Sequence, residues 1–103
     1  MGKPEAHVEK YLYARVKALG GMCLKFESGI NGVPDRVVIL DGRVVFVETK
    51  APGEKPRRLQ KIRLAEMSAA GADCRVADTR VLVDALLEEI TETPSDIDLK
   101  AAA

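Results

Sequence analysis

Two short β-branched runs, Arg36–Leu40 and Val44–Val47, flank an Asp41-Gly42 pair. Asp-Gly between such runs signals a two-residue hairpin, because the turn needs positive φ at both central residues and these two residue types tolerate it. A hairpin closed at that point fixes which residues face one another along both arms. Asp35 opens the first arm, and Glu48-Thr49-Lys50 closes the second, thirteen residues on. Pairing therefore brings Asp35 and Glu48 to the same end. Lys50, two residues past Glu48, falls on the same face of an extended strand.

The remaining elements read around that hairpin. Val8, Leu12, Val16 and Leu19 recur at helical spacing over residues 4–19, with Pro4 in the first turn and Gly20-Gly21 as the stop. Met22–Phe26 is a short strand, and Glu27–Pro34 is a turn-rich loop. After a loop at Ala51–Lys55, Pro56 starts a second helix that runs to Ala70, with Gly71 beyond it. Cys74–Ala77 is a further strand, and Thr79 can cap a third helix ending near Ile90. The order helix, strand, strand, strand, helix, strand, helix predicts an α/β fold with a central mixed sheet flanked by helices. At 103 residues the chain holds one domain, expected over 1–90, with a polar, disordered tail over 91–103 that contains Pro94 and Ser95.

Several function classes drop out. The chain has no glycine-rich dinucleotide fingerprint. It has no apolar run of about 18 residues and no apolar leader, so neither a membrane span nor a signal peptide is expected. Cys23 and Cys74 stand apart in strand-like contexts, are expected as reduced thiols, and form no zinc cluster with the single histidine, His7. The formal net charge is zero, yet positions 1–87 carry 15 basic and 11 acidic residues. The basic excess lies between Lys50 and Arg63, where Lys50, Lys55, Arg57, Arg58, Lys61 and Arg63 face only Glu54. Such a patch suits a phosphate backbone or, equally, an ordinary solvated helix face. The few aromatics form no base-stacking series, which favours backbone over single-strand recognition.

Two carboxylates and an ammonium at one strand end constitute a divalent-cation site with a charge-stabilising lysine, the equipment for metal-assisted phosphodiester cleavage. A carboxylate at the end of Val44-Val45-Phe46-Val47 needs a counter-charge, which a cation or a salt bridge to Lys50 or Arg36 could supply.

The pattern resembles the PD-(D/E)XK nuclease superfamily, and more closely the VRR-NUC branch in its small stand-alone phage form. The residues carrying the resemblance are Gly32-Val33-Pro34-Asp35-Arg36, Val47-Glu48-Thr49-Lys50, Gln60 in the next helix, Lys25, and a first helix with Glu5 and Glu9 before Gly20-Gly21. Together they span about residues 5–80. Thr49 departs from the leucine or valine usual there. The family uses that position's backbone carbonyl, so the change puts little in doubt.

The resemblance implies a restriction-endonuclease-like core and Mg²⁺ or Mn²⁺ held by Asp35, Glu48, the Thr49 carbonyl and a helix glutamate. Glu5 and Glu9 both border the inward helix stripe; spacing to the glycines favours Glu5, and periodicity leaves Glu9 open. Lys50 is expected to position water or stabilise transition-state charge, with Gln60 orienting it. Lys25, Arg36, Lys55, Arg57, Arg58 and Lys61 are candidate DNA contacts. The implied activity is that of a structure-specific DNA endonuclease similar to Holliday-junction resolvases, working in the cytoplasm of a bacterial host. Two symmetric cuts call for a homodimer whose interface buries an apolar patch of helix or strand residues, the tyrosines and leftover apolar residues of the first or third helix being candidates. Flap or fork cleavage, or a non-catalytic DNA-binding or assembly module with a vestigial site, are the alternatives.

Overall fold

The computed structural model describes residues 4–92, so the expected tail lies, from position 93 on, outside the described residues. The elements are α1 (Pro4–Ala18), β1 (Met22–Lys25), β2 (Arg36–Leu40), β3 (Arg43–Thr49), α2 (Arg58–Ala69), β4 (Asp73–Ala77) and α3 (Arg80–Glu92). The strands form one sheet in the order β1-β2-β3-β4. β1, β2 and β3 are antiparallel neighbours, and β4 joins β3 in parallel. A parallel pair needs a crossover, and α2 supplies it.

The β2–β3 hairpin closes at Asp41 and Gly42 with φ of 51° and 75°, the positive pair that a type I′ turn requires. Its register pairs Leu40 with Arg43 and Arg36 with Val47. β3 is longer than the apolar run suggested and includes Glu48 and Thr49, because β4 continues the ladder with Val76 and Ala77 opposite them. On the other side, Phe26 N–H donates to the Asp35 carbonyl at 2.7 Å, extending pairing one step beyond β1.

Strand alternation sorts the sheet into two faces. Cys23, Val38, Leu40, Val45, Val47 and Ala77 point to one face, where they are buried beneath Val8, Leu12 and Val16 of α1 and Val83, Leu86, Leu87 and Ile90 of α3. Each of the valine, leucine and isoleucine side chains among them contributes roughly 1.5–3 kcal/mol when fully removed from water. Leu19 does not join this stripe; α1 ends before it, and it is exposed. α2 lies over β4 on the opposite face. It starts at Arg58 rather than Pro56, because Arg57 is extended at φ −67° and ψ 163° and stands as the N-cap. Thr79 Oγ accepts from Leu82 N–H at 3.1 Å, capping α3 as the sequence suggests. α3 runs two residues past Ile90; Thr91 donates its hydroxyl to the Leu87 carbonyl at 3.0 Å and stays helical.

The second face is bare over β1, β2 and the start of β3. Met22, Ile39 and Val44 are register partners in one row, Leu24 lies in the next, and all four are exposed. Apolar side chains are thus exposed on this sheet face as well as on α1, at Tyr13, and on α3, at Val81 and Leu82. Both cysteines are free. No described helix is long and apolar enough to cross a membrane.

Thr49 is fully buried on the α1/α3 face, and its hydroxyl has no hydrogen-bond partner. An unpaired buried hydroxyl costs about 1–3 kcal/mol. Thr49→Val keeps the shape and removes that group. It is expected to raise stability by about 1 kcal/mol in urea unfolding.

Candidate active site

The β2–β3 register carries one step past its last pair to set Asp35 opposite Glu48 at the end of the sheet. Asp35 is held there by its own carbonyl, which accepts from Phe26, and by the buried Pro34 before it. Glu48 is only 4% exposed and Lys50 only 7%. The Lys50 ammonium stands 3.8 Å from Glu48 Oε2, and its backbone N–H donates to the Ala77 carbonyl at 2.9 Å. β4 thus locks Lys50 just beyond the strand end.

These groups open into a cleft of about 610 Å³ lined by Glu5, Gly32, Val33, Asp35, Glu48, Lys50 and Gln60, together with the exposed Glu54, Lys55 and Arg57. The first helix contributes Glu5, not Glu9. Glu9 instead accepts from Arg36 Nε at 2.7 Å and lies 2.5 Å from Arg36 Nη2, beside a separate depression. That ion pair also occupies Arg36, which the sequence offered as a DNA contact.

The electrostatics are those of crowded, dehydrated carboxylates. Burial pushes Glu48 up to about 7, the Asp35 charge adds to the shift, and Lys50 only partly opposes it. Asp35 is also raised, chiefly by burial and then by the Glu9 charge. One Asp35 oxygen, Oδ1, is buried with no hydrogen-bond partner. An orphaned carboxylate oxygen beside a second desolvated carboxylate is an arrangement a hard cation would relieve, and its donors are the oxygen type that Mg²⁺ and Mn²⁺ take. Among the described residues, no three Asp, Glu, His or Cys side chains form a metal cage on their own.

Gln60 is buried, and its Oε1 accepts from Arg57 N–H at 2.8 Å. It therefore caps the start of α2, and its amide NH₂ is what remains to offer the cleft. Lys55 and Arg57 reach the cleft margin, while Arg58, Lys61 and Lys25 are exposed outside it. Lys25 is near enough to Asp35 for its charge to oppose, weakly, the upward shift of that carboxyl. The sequence did not single out Glu54, which also lines the cleft. It sits in an irregular loop, where no periodicity reports which way a side chain points.

No family model matches the chain. The protein named "Putative nuclease p44", from Acyrthosiphon pisum secondary endosymbiont phage 1, is 45% identical over 80 residues, covering 76% of this chain and 86% of its own length. A solved VRR_NUC domain superposes with a TM-score of 0.77 at 36% identity, covering 84% of this chain and 97% of the other. The chain belongs to the VRR-NUC family. As a VRR-NUC domain it carries the restriction-endonuclease-like core expected from its element order, with a four-stranded mixed sheet and three helices.

The elevated Glu48 pKa makes stability depend on pH with a definite sign. Glu48 ordinarily titrates near 4.5, and in this fold at about 7. Ionising it in place opposes folding, so the cost is absent below 4.5, grows between the two values, and is complete above 7, at about 3 kcal/mol. Glu48→Gln removes it. In chelator, thermal melts at pH 8 are expected to show the variant more stable than wild type, with the gain vanishing by pH 4.5.

Proposed function

We propose that this VRR-NUC domain is a Mg²⁺- or Mn²⁺-dependent DNA endonuclease that cuts branched DNA as a homodimer, in the manner of a junction resolvase. The observation that carries the catalytic part is the sheet end itself: Asp35 with an unpaired buried oxygen, opposite a desolvated Glu48, with Lys50 at 3.8 Å. The relative named as a nuclease and the VRR_NUC fold match support phosphodiester chemistry at this site.

In this reading Asp35, Glu48, Glu5 and the Thr49 carbonyl hold the metal. Glu5 takes the role over Glu9 because Glu5 lines the cleft while Glu9 is neutralised by Arg36. The bound cation supplies Lewis-acid polarisation of the phosphate and a lowered pKa for water. Lys50 orients the attacking water and stabilises charge that develops on the phosphoryl oxygens. Gln60, its carbonyl committed to the helix cap, donates from its amide to a water or phosphate oxygen. Lys55 and Arg57 hold flanking phosphates at the cleft margin, with Arg58, Lys61 and Lys25 contributing to the wider basic surface.

The homodimer rests on the bare sheet face. Met22, Leu24, Ile39 and Val44 are exposed on adjoining rows of one sheet face and offer an apolar docking surface. A two-fold axis through that face would repeat the same patch on both subunits and present two sites for paired cuts.

The catalytic reading is tested by cleavage of four-way, flapped and linear DNA with Mg²⁺, Mn²⁺ or excess EDTA. Activity is expected with either metal and none in chelator. Asp35→Asn should lower the rate by about a hundredfold or more, and Glu5→Ala should lose more activity and metal affinity than Glu9→Ala. Undiminished cutting in EDTA refutes the mechanism, and the reverse ranking moves the helix ligand to Glu9.

The assembly has its own check. Light scattering should give a dimer at micromolar concentration, and Val44→Glu, at a position exposed in the single chain, should give a folded monomer that no longer makes paired symmetric nicks in a four-way junction.

A further inference from the structure

The loop between β1 and β2 ends in an exposed apolar tip, Ile30, which is 57% exposed. A single surface isoleucine is ordinary. This one is set apart by its support, its position and its neighbours. The Ser28 hydroxyl accepts from Ile30 N–H and donates to the Ile30 carbonyl, both at 3.0 Å. Arg63 Nε reaches across from α2 and donates to the Asn31 carbonyl at 3.1 Å. Gly32, at φ 87°, lies so close to α2 that a Cβ there would fall 2.9 Å from Leu59 Cγ. The loop is therefore braced from within and from α2, and the isoleucine is held outward on a fixed base.

The loop that carries it leads directly into the cleft. Gly32 and Val33, two and three residues on, line the cleft of Asp35 and Glu48, and Asn31 lines an adjoining depression with Arg57. The surroundings carry a basic excess: Lys55 and Arg57 share the cleft with Glu54, Arg57 also lines the depression beside Asn31, and Arg63 reaches the loop while pairing with Glu66 at 2.7 Å. An apolar tip on a loop flanked by Arg57 and Arg63 is poorly matched to the same surface on a second copy, which would bring like charges together. It is well matched to a partner with phosphates outside and flat apolar faces inside.

Resting on the nuclease reading above, we infer that Ile30 is a wedge that enters the base stack at a branch point while the neighbouring phosphate lies over Asp35 and Glu48. Apolar side chains can part base steps, at the cost of unstacking. In a continuous duplex that cost is met in full. At a branch point the stack is already interrupted or easily parted, so burying the isoleucine against base faces is a net gain. Ile30 is thus a specificity-determining residue, and it selects branched over linear DNA.

The experiment compares wild type, Ile30→Ala and Ile30→Leu on a four-way junction and a linear duplex that share the sequence around the cut. 2-Aminopurine placed at the branch point reports stacking in Ca²⁺, where binding is followed without turnover. The wild type is expected to raise the fluorescence on binding. Ile30→Ala should not, and its junction-to-linear rate ratio should fall about tenfold, the size of effect expected from losing part of one buried aliphatic side chain. Ile30→Leu should restore both readouts. An alanine variant that keeps the wild-type ratio and fluorescence rise overturns the wedge. So does one that becomes monomeric by light scattering, which would make Ile30 an interface residue. A wild-type protein that neither binds nor cuts any of these DNAs fails earlier, and the fault then lies with the nuclease reading itself.

Discussion

Everything at the site depends on one pair of carboxylates brought together at a sheet end where water is largely excluded. Asp35 and Glu48 come from different strands, and their meeting is a matter of register alone. The Asp41-Gly42 turn sets that register, since a slip of one residue would send every side chain of β3 to the other face. β4 then reinforces it from the far side, through the ladder opposite Glu48 and Thr49 and the bond from Lys50 N–H to the Ala77 carbonyl. The backbone thus holds together charges that would separate if free to do so. Lys50 offsets part of the repulsion, and Glu48 remains shifted to about 7 despite it.

The strand pair was legible in the sequence because it rests on local rules: a turn dipeptide, β-branched arms, and two acids placed at matching ends. The caps and stops of the helices were legible for the same reason, as Thr79 and Gly71 illustrate. What escaped were facts fixed by tertiary partners. Helical periodicity puts both Glu5 and Glu9 beside the inward stripe, and only the position of Arg36 on β2 decides that Glu9 is taken and Glu5 faces the cleft. The same pairing removes Arg36 from the exposed cations, although its neighbours in sequence gave no hint of it. Leu19 fitted the stripe by spacing but lies past the end of the helix that would have turned it inward.

The exposed apolar sheet face escaped for a related reason. Helical spacing marks leftover apolar residues on α1 and α3, where Tyr13, Val81 and Leu82 are exposed, whereas strand alternation does not say which sheet face is covered. In the fold, both of those helices pack on one side of the sheet, and α2 packs against β4 on the other. Which strand face lacks a cover follows from where three helices are put, and no single element carries that information.

The pair between Arg36 and Glu9 has a consequence for how such a site can change over time. Glu9 sits one turn along α1 from Glu5, and Arg36 adjoins Asp35 in the chain, so the ion pair indexes the helix directly to the strand. The spacing of the acids is then governed by this clamp and by the hairpin. Phe26 and Pro34, which hold Asp35, bound the intervening loop, and its exposed residues between them do not gauge that spacing. Those exposed residues can be exchanged with the acid geometry left intact. New preferences for nucleic-acid shape could therefore arise in that loop while the chemistry is inherited unaltered.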